Sequence, residues 1–273
     1  MAEAITLFDG STLKGWRAAP RLPTPVRADD PPLATDTEAY RKAVGHFGRW
    51  TIEDGAICGR QDPPGSGLGA YLVSEAAFGD FELELEARPD WPADTGIMLR
   101  ATADGTTGYQ VLVDHRKSGN IGGFYGNGIG RFHAINFNVD VERDVAGKPL
   151  RLRIEDPATT IEPIHDWKPA LLARKATGED FLKAWKWDDW NAFRIRMTGA
   201  LPTITVWING LLVAELDTAT MAYPDFDGAA VLRRLGNAGH IAFEVHDNDP
   251  RMGAERWAPE AACRWRNIRV TPL

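Results

Sequence analysis

Along Gly239–Asp247 (GHIAFEVHD) side chains alternate, with Ile241, Phe243 and Val245 on one face and Ala242, Glu244 and His246 on the other. A carboxylate and an imidazole thus stand side by side on a largely apolar strand, the residue types that proton transfer uses when a cleft tunes them. Two other segments read the same way. In Gly108–Asp114 (GYQVLVD), Val111 and Val113 point inward while Gln110, Leu112 and Asp114 point outward. In Gly96–Ala101 (GIMLRA), Ile97 and Leu99 point inward, leaving Met98 and Arg100 opposite. If the three strands share a sheet, Arg100, Gln110, Asp114, Glu244 and His246 converge on one face of it. Each taken singly is an ordinary polar residue of a solvated sheet; their recurrence on apolar strands marks the group as a candidate site.

Other chemistries lack their residues. The six histidines (His46, His115, His133, His165, His240 and His246) follow no zinc spacing, and no metal ligand set is assigned. Asp247, Asn248 and Asp249 form the densest oxygen-rich cluster, where a structural divalent cation such as calcium competes with a plain turn between strands. Gly122–Gly130 (GGFYGNGIG) fits neither phosphate-loop spacing; a tightly turning loop that offers Tyr125 and Arg131 to a ligand is the better reading. There is no G-x-S-x-G nucleophile turn. Glycoside hydrolases ordinarily flank the scissile bond with two carboxyl groups, and no strand carries the E-x-D-x-x-E pattern that would supply them. Glu82, Glu84 and Glu86 share one strand face, where solvation is the simpler role.

The elements that must position these residues are strands. Asp80–Arg88 (DFELELEAR), Ala192–Thr198, Thr203–Asn209 and Arg264–Thr271 alternate with period two, and Asn209-Gly210 before Leu211–Asp217 is a strong hairpin signal. Further strands are expected at Ile5–Phe8, Trp50–Ile52, Ala56–Gly59, Ala70–Ser74, Phe132–Val141 and Leu150–Ile154. Many short strands without an internal repeat predict an all-β sandwich or jelly roll, one domain over 1–273. Insertions interrupt it near 20–49 and 132–189. The first holds Pro20, Pro23, Pro25, Pro31 and Pro32, then a short helix candidate at Thr37–Val44. The second places Phe181 and Trp185 on one helical face. Of ten tryptophans, most are expected as bulky core filler. Trp167, Trp185, Trp187 and Trp190, in or beside the second insertion, are expected at a sugar site, where indole faces stack on C–H groups. Cys58 and Cys263 are either one bridge or two buried thiols.

Lys plus Arg is 31 against 38 Asp plus Glu, a net charge of −7 without a basic cluster, which disfavours a nucleic-acid partner, and none is expected. No apolar run approaches the ~20 residues that span a bilayer, so no membrane insertion is expected. The start, MAEAITLFDG, shows no basic segment leading into a long apolar one. No signal peptide is expected, and the compartment stays open between cytoplasm and export with a leader removed.

Taken in order, Ile5–Trp16 (ITLFDGSTLKGW), Trp50–Gly59 (WTIEDGAICG), Leu72–Glu86, Gly96–Arg100, Gly108–Asp114, Gly122–Gly126, Trp190–Asp217, Gly239–His246 and Arg264–Val270 (RWRNIRV) resemble the 3-keto-disaccharide hydrolase family. The resemblance implies a concanavalin A-like two-sheet jelly-roll sandwich with short helical insertions. It also implies a carbohydrate substrate, a glycoside already oxidised at C3, with no certain cofactor. A C3 ketone acidifies the C2 proton, so one base can remove it, the C1 leaving group departs by β-elimination, and water adds back. On this pattern His246 or Glu244 transfers the proton, and Arg100 and Arg131 hold the ketone or hydroxyls. Gln110, Asp114 and Tyr125 then recognise hydroxyls, and Trp167 and Trp187 build the rim. Leu112 stands where many members carry an acidic residue. A non-catalytic carbohydrate-binding module, or a sandwich used for protein assembly, fits the same fold.

Overall fold

The alternation of DFELELEAR is a burial pattern. In the computed structural model, which describes residues 3–273, Phe81, Leu83, Leu85 and Ala87 are buried and the four charged residues between and after them are not. Met1 and Ala2, part of the expected 1–273 domain, lie outside the described residues.

The first strands are β1 (Ile5–Thr6), β2 (Trp16–Pro20), β3 (Arg49–Glu53), β4 (Ala56–Arg60), β5 (Ala70–Phe78) and β6 (Phe81–Pro89). There follow β7 (Ala93–Ala101), β8 (Gly108–His115), β9 (Ile121–Asn127), β10 (His133–Ala134), β11 (Val139–Arg143) and β12 (Pro149–Ile154). The last are β13 (Leu172–Lys175), β14 (Asn191–Thr198), β15 (Thr203–Ile208), β16 (Leu211–Asp217), β17 (Gly239–Val245) and β18 (Cys263–Pro272). One nine-stranded sheet runs β13-β16-β15-β14-β6-β18-β4-β3, with β1 added against β18. A seven-stranded sheet runs β10-β9-β8-β7-β17-β5-β2, and β11 and β12 pair separately. All the pairings are antiparallel, giving the all-β sandwich that the alternation predicts.

The core lies between the two large sheets. Ile97, Val111, Val113, Ile241 and Phe243 from the seven-stranded sheet meet Leu83, Leu85, Ile195, Val206 and Trp265 from the other. Phe243 is stacked between Trp265, at 4.8 Å, and Trp16, at 5.2 Å, so these tryptophans are packing residues. The Asn209-Gly210 turn has positive φ at both residues (50° and 86°), the geometry that joins two twisted strands directly.

Helices α1 (Glu38–Ala43), α2 (Trp167–Ala170) and α3 (Gly178–Ala184) occupy the insertions, and an unanticipated α4 (Gly228–Leu235) lies outside them, between β16 and β17. Thr37 caps α1 through its hydroxyl, as the helix candidate required. Phe181 of α3 stacks on Phe137 and Trp185 and closes the core. The expected strand over Phe132–Val141 is two pieces, because β10 pairs with β9 while β11 pairs with β12. Cys58 and Cys263 are free and buried. They sit on adjacent strands, but Cys58 registers with Arg264 and Cys263 with Gly59, so the thiols project from opposite faces and form no bridge. Among the described residues no helix is long and apolar enough to cross a membrane.

Candidate active site

The outer face of the seven-stranded sheet changes character along its strands. At one end Ala19, Tyr71, Val73, Met98, Ala101 and Ala242 form a small apolar patch. At the other end polar residues of β17, β7, β8, β9 and β10 floor a cleft of about 450 Å³.

Glu244 lies under this cleft, fully buried. Its Oε1 accepts from Arg21 Nε and its Oε2 from Gln110 Nε2 at 2.6 Å. Neither partner is on an adjacent strand, and each crosses one. Gln110 on β8 reaches over β7 at Gly96, where a Cβ would lie 2.3 Å from its Nε2. Arg21, just past β2, reaches over the start of β5 at Gly69, where a Cβ would lie 2.7 Å from its Cδ. The absence of a side chain at those two positions lets the carboxylate be satisfied from both sides.

His246 is equally engaged. Its Nε2 lies 2.8 Å from Arg21 Nη2 and 2.8 Å from Arg256 Nη2. A guanidinium only donates, so Nε2 carries the lone pair and Nδ1 the hydrogen, which points to the carbonyl oxygen of Asp247 at 2.8 Å. Asp247 accepts from Arg21 Nη1 at 2.6 Å and Asp249 from Arg256 Nη1 at 2.7 Å. Burial would lift the Asp247 carboxyl, and Arg21 overrides it, holding it well below the usual carboxylate range. The oxygen-rich run Asp247–Asp249 therefore faces guanidinium groups, and Asn248 Nδ2 donates to the Trp257 carbonyl. Among the described residues no group of three or more His, Cys, Asp or Glu is placed to hold a metal.

Asp94 and Asp114 are register partners on β7 and β8, and both are buried. Asp94 Oδ2 accepts from Arg116 Nε and Arg256 Nε, each at 2.7 Å. Arg116 Nη2 is 3.9 Å from Asp114. Burial disfavours both charges, but Arg116 and Arg256 hold Asp94 well below its ordinary value. Asp114 is pushed well above its own by burial and by the charge on Asp94. The arginines thus favour the anion at Asp94, and burial beside that anion favours the protonated form at Asp114.

At the far wall stand Tyr125 of β9 and His133 of β10, in register and edge-to-face at 5.9 Å. His133 Nδ1 is 3.5 Å from Glu162 Oε1, which also accepts from Lys168 Nζ at 2.9 Å. Burial lowers the affinity of His133 for a proton, while Glu162 works against it. Arg131 borders the cleft and donates to the Thr24 carbonyl at 2.8 Å.

Residues 3–271 match the 3-keto-alpha-glucoside-1,2-lyase-like domain. The chain belongs to that family. No curated protein matches it. Among solved structures, it is similar to a candidate glycosyl hydrolase from Parabacteroides distasonis (13% identity, 99% of this chain and 94% of that one, TM-score 0.49). It is also similar to a carbohydrate-binding module from Bacillus subtilis (13%, 82% and 91%, TM-score 0.44). A third is the β-glucanase of Bacillus licheniformis (9%, 100% and 98%, TM-score 0.41).

In this 3-keto-alpha-glucoside-1,2-lyase-like domain, Gln110, Asp114, Tyr125, Arg131 and His246 line the cleft, with Glu244 beneath them. Three expected residues lie elsewhere. The register of β17 against β7 shifts between His240 and Ala242, and Arg100 takes φ 47°. This bulge turns Arg100 off the outer face, so that Nη1 donates to the carbonyls of Gly199 (2.9 Å) and Ala200 (3.1 Å) in the β14–β15 turn. Trp187 packs against His115 at 5.1 Å and Trp91 at 6.0 Å. Trp167 leans on Tyr223 at 5.3 Å and borders a separate groove. Nor do the other insertion tryptophans reach the site: Trp185 is buried, and Trp190 lies 4.0 Å from the Arg266 guanidinium. The aromatic lining is Tyr71 and Tyr125.

Sequence reading missed Arg21, Asp94, Arg116, His133, Glu162 and Arg256. Asp94 had a signal: extending GIMLRA back by two residues puts Asp94, Gly96 and Met98 on one face.

Proposed function

We propose that this protein cleaves 3-keto-glycosides by β-elimination across C1 and C2, followed by hydration. The observation that carries the reading is the buried Asp94–Asp114 register pair on the floor of a cleft bordered by arginines, with Arg116 and Arg256 both donating to Asp94 and leaving Asp114 as the carboxyl that burial and its neighbour's charge push toward the protonated form. Family membership points the same way.

Loss of the C2 proton leaves an enolate whose charge grows on the C3 oxygen, and guanidinium donors aimed into a shielded cleft favour such charge. The glycosidic oxygen leaving C1 needs a proton, and Asp114 holds one because the anion of Asp94 stands beside it. Arg116 and Arg256 keep Asp94 ionised and so keep that proton on Asp114. His246 and Glu244, whose acceptors are occupied, hold Arg21 and Arg256 in place. The cleft volume of about 450 Å³ lies within the range of small-molecule sites.

The test is release of the leaving group from both anomers of 4-nitrophenyl 3-keto-glucoside, with the unoxidised glucosides as controls. Cleavage of the keto forms alone is expected, and D114N should lower turnover of methyl 3-keto-glucoside, whose alkoxide leaving group needs a proton, ~10²-fold or more while largely sparing the 4-nitrophenyl substrate. Unchanged turnover in both H246A and E244Q would remove β17 from the mechanism. Binding of unoxidised sugars by calorimetry, without cleavage of any keto-glycoside, would overturn the enzyme reading in favour of a binding module.

A further inference from the structure

Elimination needs an acceptor for the C2 proton, and most lone pairs in the cleft are occupied. Both oxygens of Glu244 and the Nε2 of His246 accept from arginine or glutamine. Asp94, Asp247 and Asp249 are clamped by arginines. Glu162 meets Lys168, Arg251 and His133. His133 differs: its Nδ1 faces Glu162, which places the hydrogen on Nδ1 and the lone pair on Nε2. That Nε2 has no partner among the described residues, is not sealed from solvent, and belongs to a residue of the cleft wall. An imidazole oriented by a carboxylate, on a cleft wall and with its second nitrogen unpartnered, is the arrangement of a general base.

We propose that His133 takes the C2 proton, with Glu162 as its positioning residue, an assignment that rests on the elimination reading above. The Nε2 lone pair bonds the proton, and the C2–H electron pair becomes the enolate of the C3 ketone. The enolate then re-forms the ketone, the C1–C2 double bond forms, and the C1–O bond breaks. The departing oxygen takes the proton of Asp114. Hydration reverses the roles: the Asp114 carboxylate takes a proton from water as its oxygen bonds C1, and the His133 imidazolium returns one to C2. Arg116 bears on both groups, holding Asp94 through Nε beside Asp114 and acting electrostatically on His133. Burial, Lys168 and Arg116 keep His133 neutral against the pull of Glu162, so the base form is present through neutral pH.

The experiment follows two events separately. Exchange at C2 of methyl 3-keto-glucoside is read in deuterated water by proton NMR, with the methoxy protons as internal reference. Cleavage is read with the 4-nitrophenyl 3-keto-glucoside. H133Q should lose both C2 exchange and cleavage by ~10²-fold or more, with KM little changed and a melting curve like that of the wild type. D114N should lose release of methanol from methyl 3-keto-glucoside and keep exchange. In H133A, added imidazole should restore exchange. An H133Q or H133A protein that exchanges C2 at the wild-type rate overturns the assignment while leaving the elimination reading intact. A folded wild-type protein that neither exchanges nor cleaves overturns the elimination reading and this proposal with it.

Discussion

Glu244 and Gln110 show what a single buried charge requires. Replacing Gln110 by Leu leaves one oxygen of Glu244 without a donor in a site closed to water, a loss of ~1–3 kcal/mol that thermal or urea unfolding would register. A second outcome at this scale concerns Glu162. The lower limb of the kcat profile reports protonation of His133, whose burial sets it below the ordinary imidazole value against the opposing pull of Glu162. Activity is present above that value and lost as pH falls through it. E162Q removes the pull, so the limb moves further to acid; a limb that stays put or moves toward neutral contradicts the pairing. Gln110, Asp114 and His246 were legible in the sequence because strand alternation assigns a face to each residue. Arg21, Glu162 and Arg256 were not, since they come from irregular segments with no period to say where they point.

The strand β7 carries two departures from regularity that decide the site. At Gly96 the missing side chain opens the path of Gln110, and at Arg100 a bulge turns a charge away. G96A should therefore reproduce the effect of Q110L. The double variant should cost no more than the larger single one, because both remove the same bond; additive losses in unfolding free energy would refute the crossing. Strand positions were readable from DFELELEAR and the Asn209-Gly210 hairpin, where burial and turn chemistry agree. The bulge was not, for nothing in GIMLRA distinguishes a regular strand from one that slips by a residue. Helix α4 was missed although Asp227 caps its start and Gly236 follows its end, signals that a short helix among strands makes easy to pass over.

Across the whole molecule the two sheets are joined by their apolar core and, at the turns of Gly199 and Asp80, by Arg100. That arginine is buried with Nε lacking a partner and Nη2 ion-paired to Asp80 at 3.5 Å without a hydrogen bond, so its desolvation is incompletely offset. R100M should keep cleavage of 3-keto-glycosides within about twofold of wild type, an order-of-magnitude expectation for a residue outside the cleft. A large rise in KM would instead place Arg100 on the sugar. The antiparallel sandwich was legible from period-two patterning, whereas the pairing of β7 with β17, about half the length of the chain apart, left no local trace. This pairing dictates an order of events during synthesis. Asp94, Asp114 and His133 emerge from the ribosome long before β17 and Arg256, and β18 must still follow to complete the pairing of β6. The two carboxyl groups thus wait with Arg116 alone, lacking the Arg256 cation that completes the clamp on Asp94, and a chain cut short after β16 carries no partial enzyme.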